Sequence, residues 1–401
     1  MKIFKSTVFS AVCAFAACSA FAQQAPTAVA KAAEKPAAEK PAQDNEDRSY
    51  LADYADKPAS VALFDEKTKS ENVVAFKEVK DDSVVFIGGG GEIPISKKKP
   101  SSQKIVVKVD NNWLRIRTAL GRENWEEAIV YMRPFVYPLI PLMCINEDTF
   151  KGNAYLEMYL NALVNAKRMK EAVSIADSLK LGDCAPSLVS SVLGVAEALA
   201  KSGDVKGALA IVDHVPYTGI YTQVIPDFLS VLAELRKAGA VKECAVYYTK
   251  LTAVESAQKN EAVLWMVYCD LSMGKKMSAE IYLNQIKLDK KAPEFSLLKM
   301  NQGMLAEQAA KPDLNTVLDH YAEGIVFGSL TSTWMPELLY KTGMAYKKLG
   351  RQYAANEIFA QMASLFPNDT LTAKGQKEIV KVERKPKKVE TDDDDDEDDD
   401  E

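Results

Sequence analysis

Few side chains in this sequence have the types and spacing that catalysis or metal binding requires. The two histidines, His214 and His320, fall in predicted helices without a Glu-x-x-His or cysteine partner, so a metal site is not expected. The sequence contains no Gly-x-Ser-x-Gly, Walker or dinucleotide motif. Ser101-x-x-Lys104 has the spacing of some acyl-transfer enzymes, but it lies in a Pro/Ser/Lys loop and not at the start of a helix. The sequence therefore predicts a protein that is not an enzyme and holds no cofactor or metal.

The four glycines at positions 88–91 are the closest approach to a phosphate-binding loop. Such a loop requires Gly-Lys-Ser/Thr after the glycines and a helix that begins there, and neither follows. We therefore predict a flexible turn at this position. Because no catalytic site is evident, a function would have to lie in a binding surface and in the elements that position it.

Four cysteines remain once the two near the N-terminus are set aside. Cys244 and Cys269 occupy apolar positions of predicted helices and are expected to be small core residues. Cys144 and Cys184 fall in predicted connections between helices, where they could pair in an oxidising compartment if their Cα atoms are close enough. The number of cysteines is too small for a disulfide-stapled scaffold, and their wide spacing is wrong for zinc.

The N-terminus has the layout of a secretory signal peptide. Lys2 and Lys5 precede a short apolar run, and Ala20-Phe21-Ala22 supplies the small-x-small cleavage site. Residues 1–22 are therefore predicted to be removed on export. The expected location is the periplasm of a Gram-negative bacterium, and the mature chain is expected to have no transmembrane segment. A lipid anchor at Cys18, within a lipobox-like stretch, and full secretion are the alternatives.

Charge is unevenly placed along the 401 residues. Residues 390–401 read ETDDDDDEDDDE, so one short tail accounts for the whole formal net charge of -6. A basic patch precedes it, at Lys381, Arg384, Lys385, Lys387 and Lys388. Residues 379–401 are predicted to be a disordered interaction tail. The tail could bind divalent cations weakly but lacks the spacing of an EF-hand. Its sign argues against nucleic acid as a partner.

The remaining chain divides into segments of different texture. With 47% hydrophobic residues, it has enough apolar side chains to fold. Residues 23–49, which contain two copies of Ala-Ala-Glu-Lys-Pro, are predicted to be a disordered linker. Residues 50–111 contain short runs rich in Val, Ile and Phe and are predicted to form a small antiparallel sheet or hairpin pair. Residues 112–378 have an almost wholly helical pattern.

The helical segment repeats, and its last unit is the clearest. That unit carries Leu339, Gly343, Tyr346, Gly350, Ala355, Phe359 and Pro367. The small residues would let two helices approach closely, the aromatic residues would fill the groove beside them, and the proline would end the second helix. This pattern resembles the tetratricopeptide repeat (TPR), a helical hairpin of about 34 residues.

Weaker copies of the unit precede the last one. Their small second-helix residues recur every 35 or 36 residues, at Ala172, Ala208, Cys244 and Ala279. Glycines spaced as turns between paired helices occur at Gly203, Gly239, Gly274 and Gly350. The predicted fold class is mostly α, a right-handed α-α superhelix forming a TPR-like solenoid of about six helical hairpins, with a small N-terminal β-rich segment. An unrelated helical bundle is the alternative.

The resemblance implies a concave groove that binds an extended peptide or a partner helix. The groove would be lined by side chains from the first helix of each hairpin. Alignment of the units places ten residues there: Glu157, Asn161, Asn165, Glu197, Lys201, Arg236, Tyr268, Tyr340, Met344 and Lys347. Some members of the family clamp a peptide's terminal carboxylate with paired Lys and Asn residues. Here only Asn161 matches that clamp, and Glu157 stands where a cation would be needed.

Together these patterns predict an exported, non-enzymatic scaffold or adaptor that binds another protein through its groove. The setting would be an envelope-associated assembly, and the sequence does not identify the partner. The alternative is a structural or surface protein that acts through its acidic tail, by contacts with cations, the cell wall or a basic partner. Deletion of residues 390–401 separates the two, because only a tail-driven protein would lose its main partner.

Overall fold

The computed structural model describes residues 48–55, 57–108 and 112–381. The predicted signal peptide, most of the predicted linker and the acidic residues 390–401 lie outside the described residues. Within them the chain is mostly helical, and a small antiparallel sheet lies toward its N-terminal side. The coarse fold class predicted from the sequence is therefore confirmed.

A short helix, α1 (Leu51–Tyr54), precedes a five-stranded sheet. The strands are β1 (Val61–Asp65), β2 (Glu71–Val79), β3 (Ser83–Gly88), β4 (Gly91–Ser96) and β5 (Gln103–Val107). They pair in the order β4-β3-β2-β1-β5, and every neighbouring pair is antiparallel. The sheet was expected from the alternating apolar runs, but β4 was not.

Strand β4 escaped the sequence pattern because it begins with glycine and contains proline. Pro94 is tolerated because β4 lies at the edge of the sheet, where one side of a strand needs no hydrogen-bond donors. The predicted turn at residues 88–91 connects β3 to β4, and Gly91 adopts a φ of 114° there. The glycine run therefore shapes a hairpin turn.

One face of the sheet packs against the helices. Val61, Leu63 and Phe86 are buried and belong to the same continuous core as the helical residues. The backbone N–H of Ile105 on β5 donates to the carbonyl of Thr149, between two helices, at 2.8 Å. The β-rich segment and the helices thus share one core.

Fifteen further helices follow within the described residues. They are α2 (Trp113–Gly121), α3 (Trp125–Leu139), α4 (Asn153–Asn165), α5 (Met169–Ser178), α6 (Pro186–Ser202), α7 (Val205–Val212), α8 (Ile225–Lys237), α9 (Val241–Thr252), α10 (Lys259–Ser272), α11 (Lys276–Gln285), α12 (Phe295–Glu307), α13 (Leu314–Phe327), α14 (Met335–Lys348), α15 (Gln352–Leu365) and α16 (Thr370–Lys377). In the part of the chain that the structure covers, none of them combines the length and the hydrophobicity that crossing a membrane requires.

Consecutive helices from α2 to α15 pack in seven pairs, and α16 packs on the last pair. The sequence predicted about six hairpins. Six of the second helices bury a small residue completely, at Ala128, Ala172, Ala208, Cys244, Ala279 and Ala355. Small residues at these positions allow the paired helices to pack closely, as the repeat pattern predicted.

Six of the seven turns inside the described hairpins share a backbone geometry. Positive φ angles of 91°, 97°, 77° and 75° occur at Gly203, Gly239, Gly274 and Gly350. Glycine adopts this left-handed conformation without steric penalty, which is why it ends helices so often. Glu123 and Lys167 adopt it in the turns of the first two hairpins, with φ of 55° and 62°. The even spacing of the glycines therefore did mark turns. The turns at Glu123 and Lys167 lacked the residue that would have revealed them, and the fully described connection between α12 and α13 contains no residue with a positive φ.

The two helices of the last hairpin approach closely at Gly343. A Cβ atom on this residue would lie 2.4 Å from Cε1 of the buried Phe359. The hairpin before it repeats the arrangement, because a Cβ on Gly303 would lie 2.2 Å from Cε1 of Tyr321. The aromatic ring of the second helix thus occupies the space that a side chain on the first helix would need. This contact is the one predicted for the last unit.

The hairpins do not follow a single contact pattern. The first helices α4, α6 and α8 pack side by side, whereas α10 packs against α9 and α12. Arg236 on α8 also contacts Glu337 on α14, a residue 101 positions later. Side chains in the middle of the helical array therefore contact side chains near its end.

Candidate binding cavity

The structure places all ten predicted groove residues on first helices of hairpins. Helix α4 carries Glu157, Asn161 and Asn165; α6 carries Glu197 and Lys201; α8 carries Arg236; α10 carries Tyr268; and α14 carries Tyr340, Met344 and Lys347. The set divides into an N-terminal half on α4 and α6 and a second half on the later helices. The two halves have different surroundings.

In the N-terminal half, four of the five polar side chains are bound to a neighbour on their own helix. Asn165 Nδ2 donates to Asn161 Oδ1 at 3.0 Å, and Lys201 pairs with Glu197 at 2.6 Å. Burial raises the pKa of Glu157, although a hydrogen bond from Ser187 opposes the shift. This half offers few polar groups that a partner could bind without displacing an existing contact.

In the second half, Arg236, Tyr268, Tyr340 and Met344 line one cavity of about 380 Å³. The other lining residues are Lys237, Glu307, Glu337, Lys341, Lys348, Leu371 and Lys374. Lys347 lies outside this set, and its Nζ pairs with Glu378. Four of the ten predicted residues are therefore brought together, by three helices that are far apart in the sequence.

A buried ion pair lies against the cavity. Nη2 of Arg236 donates to Oε2 of Glu337 at 3.1 Å, and its Nη1 donates to the hydroxyl of Tyr248 at 3.1 Å. The hydroxyl of Tyr268 donates to the other carboxylate oxygen of Glu337. Arg236 is 5% exposed and Glu337 is 8% exposed. The pair is thus removed from water and held by hydrogen bonds on both sides.

Aromatic rings complete the surroundings of this guanidinium. It lies 3.5 Å from the ring centroid of Trp265 and 4.9 Å from that of Tyr268, within the range of cation–π attraction. Burial alone would raise the pKa of Glu337, but the charges of Arg236 and Lys341 outweigh it, and the pKa is lowered. Glu337 is therefore a carboxylate at neutral pH.

The cavity has an excess of positive charge, with five cationic side chains against two carboxylates. Lys237 Nζ pairs with Asp369 at 3.0 Å and with Glu234 at 3.1 Å, and Lys348 pairs with Glu307 at 3.3 Å. The remaining two lysines, at positions 341 and 374, form no ion pair with any described residue. The first lies 5.2 Å from the ring centroid of Tyr268.

The ionisable side chains that line the cavity are those of arginine, lysine, tyrosine and glutamate. The cavity is lined by neither histidine nor cysteine, and both of its carboxylates already form ion pairs. No group of three or more His, Cys, Asp and Glu side chains within the described ranges could hold a metal ion. His214 follows the end of α7 at Val212, and His320 lies on α13, where burial and the charge of Lys299 lower its pKa.

A second buried ion pair lies far from the cavity, and the sequence analysis missed it. Arg133 on α3 donates from Nε and Nη2 to the two carboxylate oxygens of Glu171 on α5, at 3.1 and 3.0 Å. The hydroxyls of Tyr137 and Tyr159 donate to the same carboxylate. Both carboxylate oxygens of Glu171 accept hydrogen bonds from side chains of the first two hairpins. The network therefore joins these hairpins. Charged residues at apolar positions of a helical pattern were the available signal.

The four described cysteines are free thiols. Cys244 and Cys269 are buried in the helical core, as predicted. Cys144 and Cys184 are not joined to each other, but both line a further cavity of about 480 Å³ beside Lys97 and Lys98. Burial raises the pKa of Cys184 to about 12.

Comparison with models of known protein families and with curated proteins gave no match for this chain. Its function is therefore argued from the cavity and its surroundings.

Proposed function

We propose that this chain is an exported, non-enzymatic adaptor that binds another protein at the cavity formed by α8, α10, α14 and α16. Its hairpins would form a TPR-like right-handed superhelix, which is supported by the repeat spacing and the left-handed turn residues. Residues 1–22 would direct it to the periplasm of a Gram-negative bacterium, where the bound protein would belong to an envelope-associated assembly.

The convergence of Arg236, Tyr268, Tyr340 and Met344 on one cavity is the observation that carries this function. Aromatic residues, methionine and arginine are enriched at protein interfaces. Tyr340 and Met344 are half-buried, so they offer apolar surface while remaining accessible. Two lysines of the cavity, Lys341 and Lys374, form no ion pair with a described residue, so a ligand could bind them without breaking such a pair.

Site-specific photocross-linking tests the proposal. A benzophenone amino acid replaces Tyr340, and in a matched control it replaces Tyr282, an exposed tyrosine on α11 outside the cavity. Both proteins are expressed as the full chain and irradiated in cells. We expect a discrete cross-linked protein from position 340 and not from position 282.

Substitution of the cavity provides the second arm. The variant Tyr340→Ala/Met344→Ala should lose recovery of the cross-linked partner in a pull-down, whereas Tyr282→Ala should retain it. Thermal unfolding of each variant establishes that loss of recovery is not loss of folding. Equal recovery by both variants, or the same products from both cross-linker positions, would show that the partner does not bind at the cavity.

A further inference from the structure

We infer that the cavity receives carboxylate side chains of an acidic protein segment, with Lys341 and Lys374 as the cations that bind them. This assignment deepens the binding function proposed above and rests on it. It names the chemistry of the partner, which the presence of a cavity alone does not.

The cationic side chains that line the cavity differ in whether they form ion pairs with described residues. Arg236, Lys237 and Lys348 each form an ion pair with a carboxylate of the chain. Lys341 and Lys374 do not, in the portion of the chain that the structure describes, and both line the cavity. An anionic ligand would gain two charge-assisted hydrogen bonds and displace no existing pair. A cationic ligand would face uncompensated repulsion.

These two lysines differ in burial and in their neighbours. Lys341 is half-buried on α14, beside the ring of Tyr268, and Lys374 is exposed on α16. Leu371 and Met344 also line the cavity and contribute apolar surface, suited to the methylene groups of Asp and Glu side chains. Tyr340 has a raised pKa because of its burial, so its hydroxyl is protonated and can donate a hydrogen bond.

Phosphate is the other common anion that the cavity could receive. Phosphate groups in proteins are commonly held by the planar fork of arginine, which donates two parallel hydrogen bonds. The one arginine that lines this cavity, Arg236, is already bound to Glu337 and Tyr248. Lysines remain, and a lysine ammonium binds either anion as a compact charge without the arginine fork that favours phosphate. The phosphoserine peptide in the assay below therefore distinguishes the two anions directly.

The chain itself carries an acidic segment, residues 390–401, which begins 16 positions after Lys374. Any acidic partner would compete with this covalently attached segment, because a tether keeps its local concentration high. Binding must therefore be measured in the full chain and in a variant that lacks residues 390–401. The comparison keeps intramolecular competition from being mistaken for absence of a site.

The assay measures the fluorescence anisotropy of labelled octa-aspartate at about 0.15 M salt, where surface charges are partly screened. The test variant is Lys341→Ala/Lys374→Ala. The matched control is Lys242→Ala/Lys311→Ala, which removes the same charge from two exposed lysines outside the cavity. We expect at least tenfold weaker binding by the test variant and unchanged binding by the control. Octa-serine and an octapeptide of phosphoserine are tested beside octa-aspartate.

The outcomes separate the two proposals. Equal affinity of the test and control variants for octa-aspartate, with and without residues 390–401, overturns the carboxylate assignment. Tighter binding of the phosphoserine peptide through the same lysines overturns it as well. If a partner cross-links at position 340 yet binds the test variant as tightly as the wild type, the adaptor function stands and the assignment fails. If octa-aspartate binds through the lysines but no protein cross-links, the adaptor function fails instead.

Discussion

The buried contact between Arg236 and Glu337 should be among the most sensitive points of the fold. The variant Glu337→Ala leaves a guanidinium that is 5% exposed without its carboxylate. Removing one member of a buried ion pair destabilises proteins by about 3–5 kcal/mol, because the remaining charge is desolvated and unpaired. For a chain of this size about 2 °C of melting temperature corresponds to 1 kcal/mol, so we expect a decrease of roughly 6–10 °C.

Removal of both charges should be less harmful than removal of one. In Arg236→Met/Glu337→Leu no charge remains buried, and the main loss is of hydrogen-bond partners for the hydroxyls of Tyr248 and Tyr268. Each hydroxyl contributes about 1 kcal/mol, so we expect a total loss of about 2 kcal/mol, or roughly 4 °C. The double variant should therefore melt above the single variant.

Circular dichroism during heating is the measurement, with Glu255→Ala as the control. Glu255 forms an exposed ion pair with Lys259, and such pairs contribute at most about 1 kcal/mol. The account of the buried pair is refuted if Glu337→Ala has the same melting temperature as Glu255→Ala. It is also refuted if the double variant has a lower melting temperature than Glu337→Ala.

The pH dependence provides an independent check on the same residue. The folded-state pKa of Glu337 is lowered from its ordinary 4.5, so its ionisation stabilises the fold above that pH. This contribution is lost as the pH falls through the lowered pKa. The difference in melting temperature between wild type and Glu337→Gln should accordingly shrink on acidification below about pH 4.5.

Four further predictions concern other parts of the fold. Gly343→Ala should destabilise the chain by about 1–3 kcal/mol, because the added Cβ would overlap the facing aromatic ring. Gly194→Ala, at a helical glycine with open space around it, should instead stabilise by roughly 0.5–1 kcal/mol in urea unfolding. Burial raises the pKa of Glu261, so Glu261→Gln should raise the melting temperature at pH 7, and the gain should vanish near pH 4.5, where the unfolded carboxyl is also protonated. Burial raises the pKa of three of the described thiols, those of Cys184, Cys244 and Cys269, to about 12. Alkylation of the native protein at pH 8, followed by mass spectrometry, should therefore modify Cys144 first. Earlier reaction of another cysteine would contradict this burial pattern.

Local signals in the sequence were sufficient for the elements and for much of the pairing. The spacing of Gly203, Gly239 and Gly274 marked turns because a left-handed residue at the end of a helix is most easily glycine. The small size of Gly343 predicted a close helix approach, since the space of a missing side chain has to be filled by a neighbour. Each of these inferences depends on residues within one hairpin.

Features that join distant parts of the chain could not be predicted. Arg236 and Glu337 meet although 101 positions separate them, and neither has a local pattern that names the other. The alignment of units placed Tyr340 and Arg236 on equivalent faces of their helices, but it treated the units as evenly stacked. Only four of the ten predicted groove residues, all on the later helices, line one cavity.

The contact between Arg236 on α8 and Glu337 on α14 restricts how many hairpins this protein can contain. In an open array, each repeat touches only its neighbours, so a hairpin can be duplicated or deleted with little effect on the others. Here an inserted hairpin between α8 and α14 would displace Glu337 from Arg236 and leave both charges buried apart. Changes in repeat number between α8 and α14 are therefore expected to be selected against.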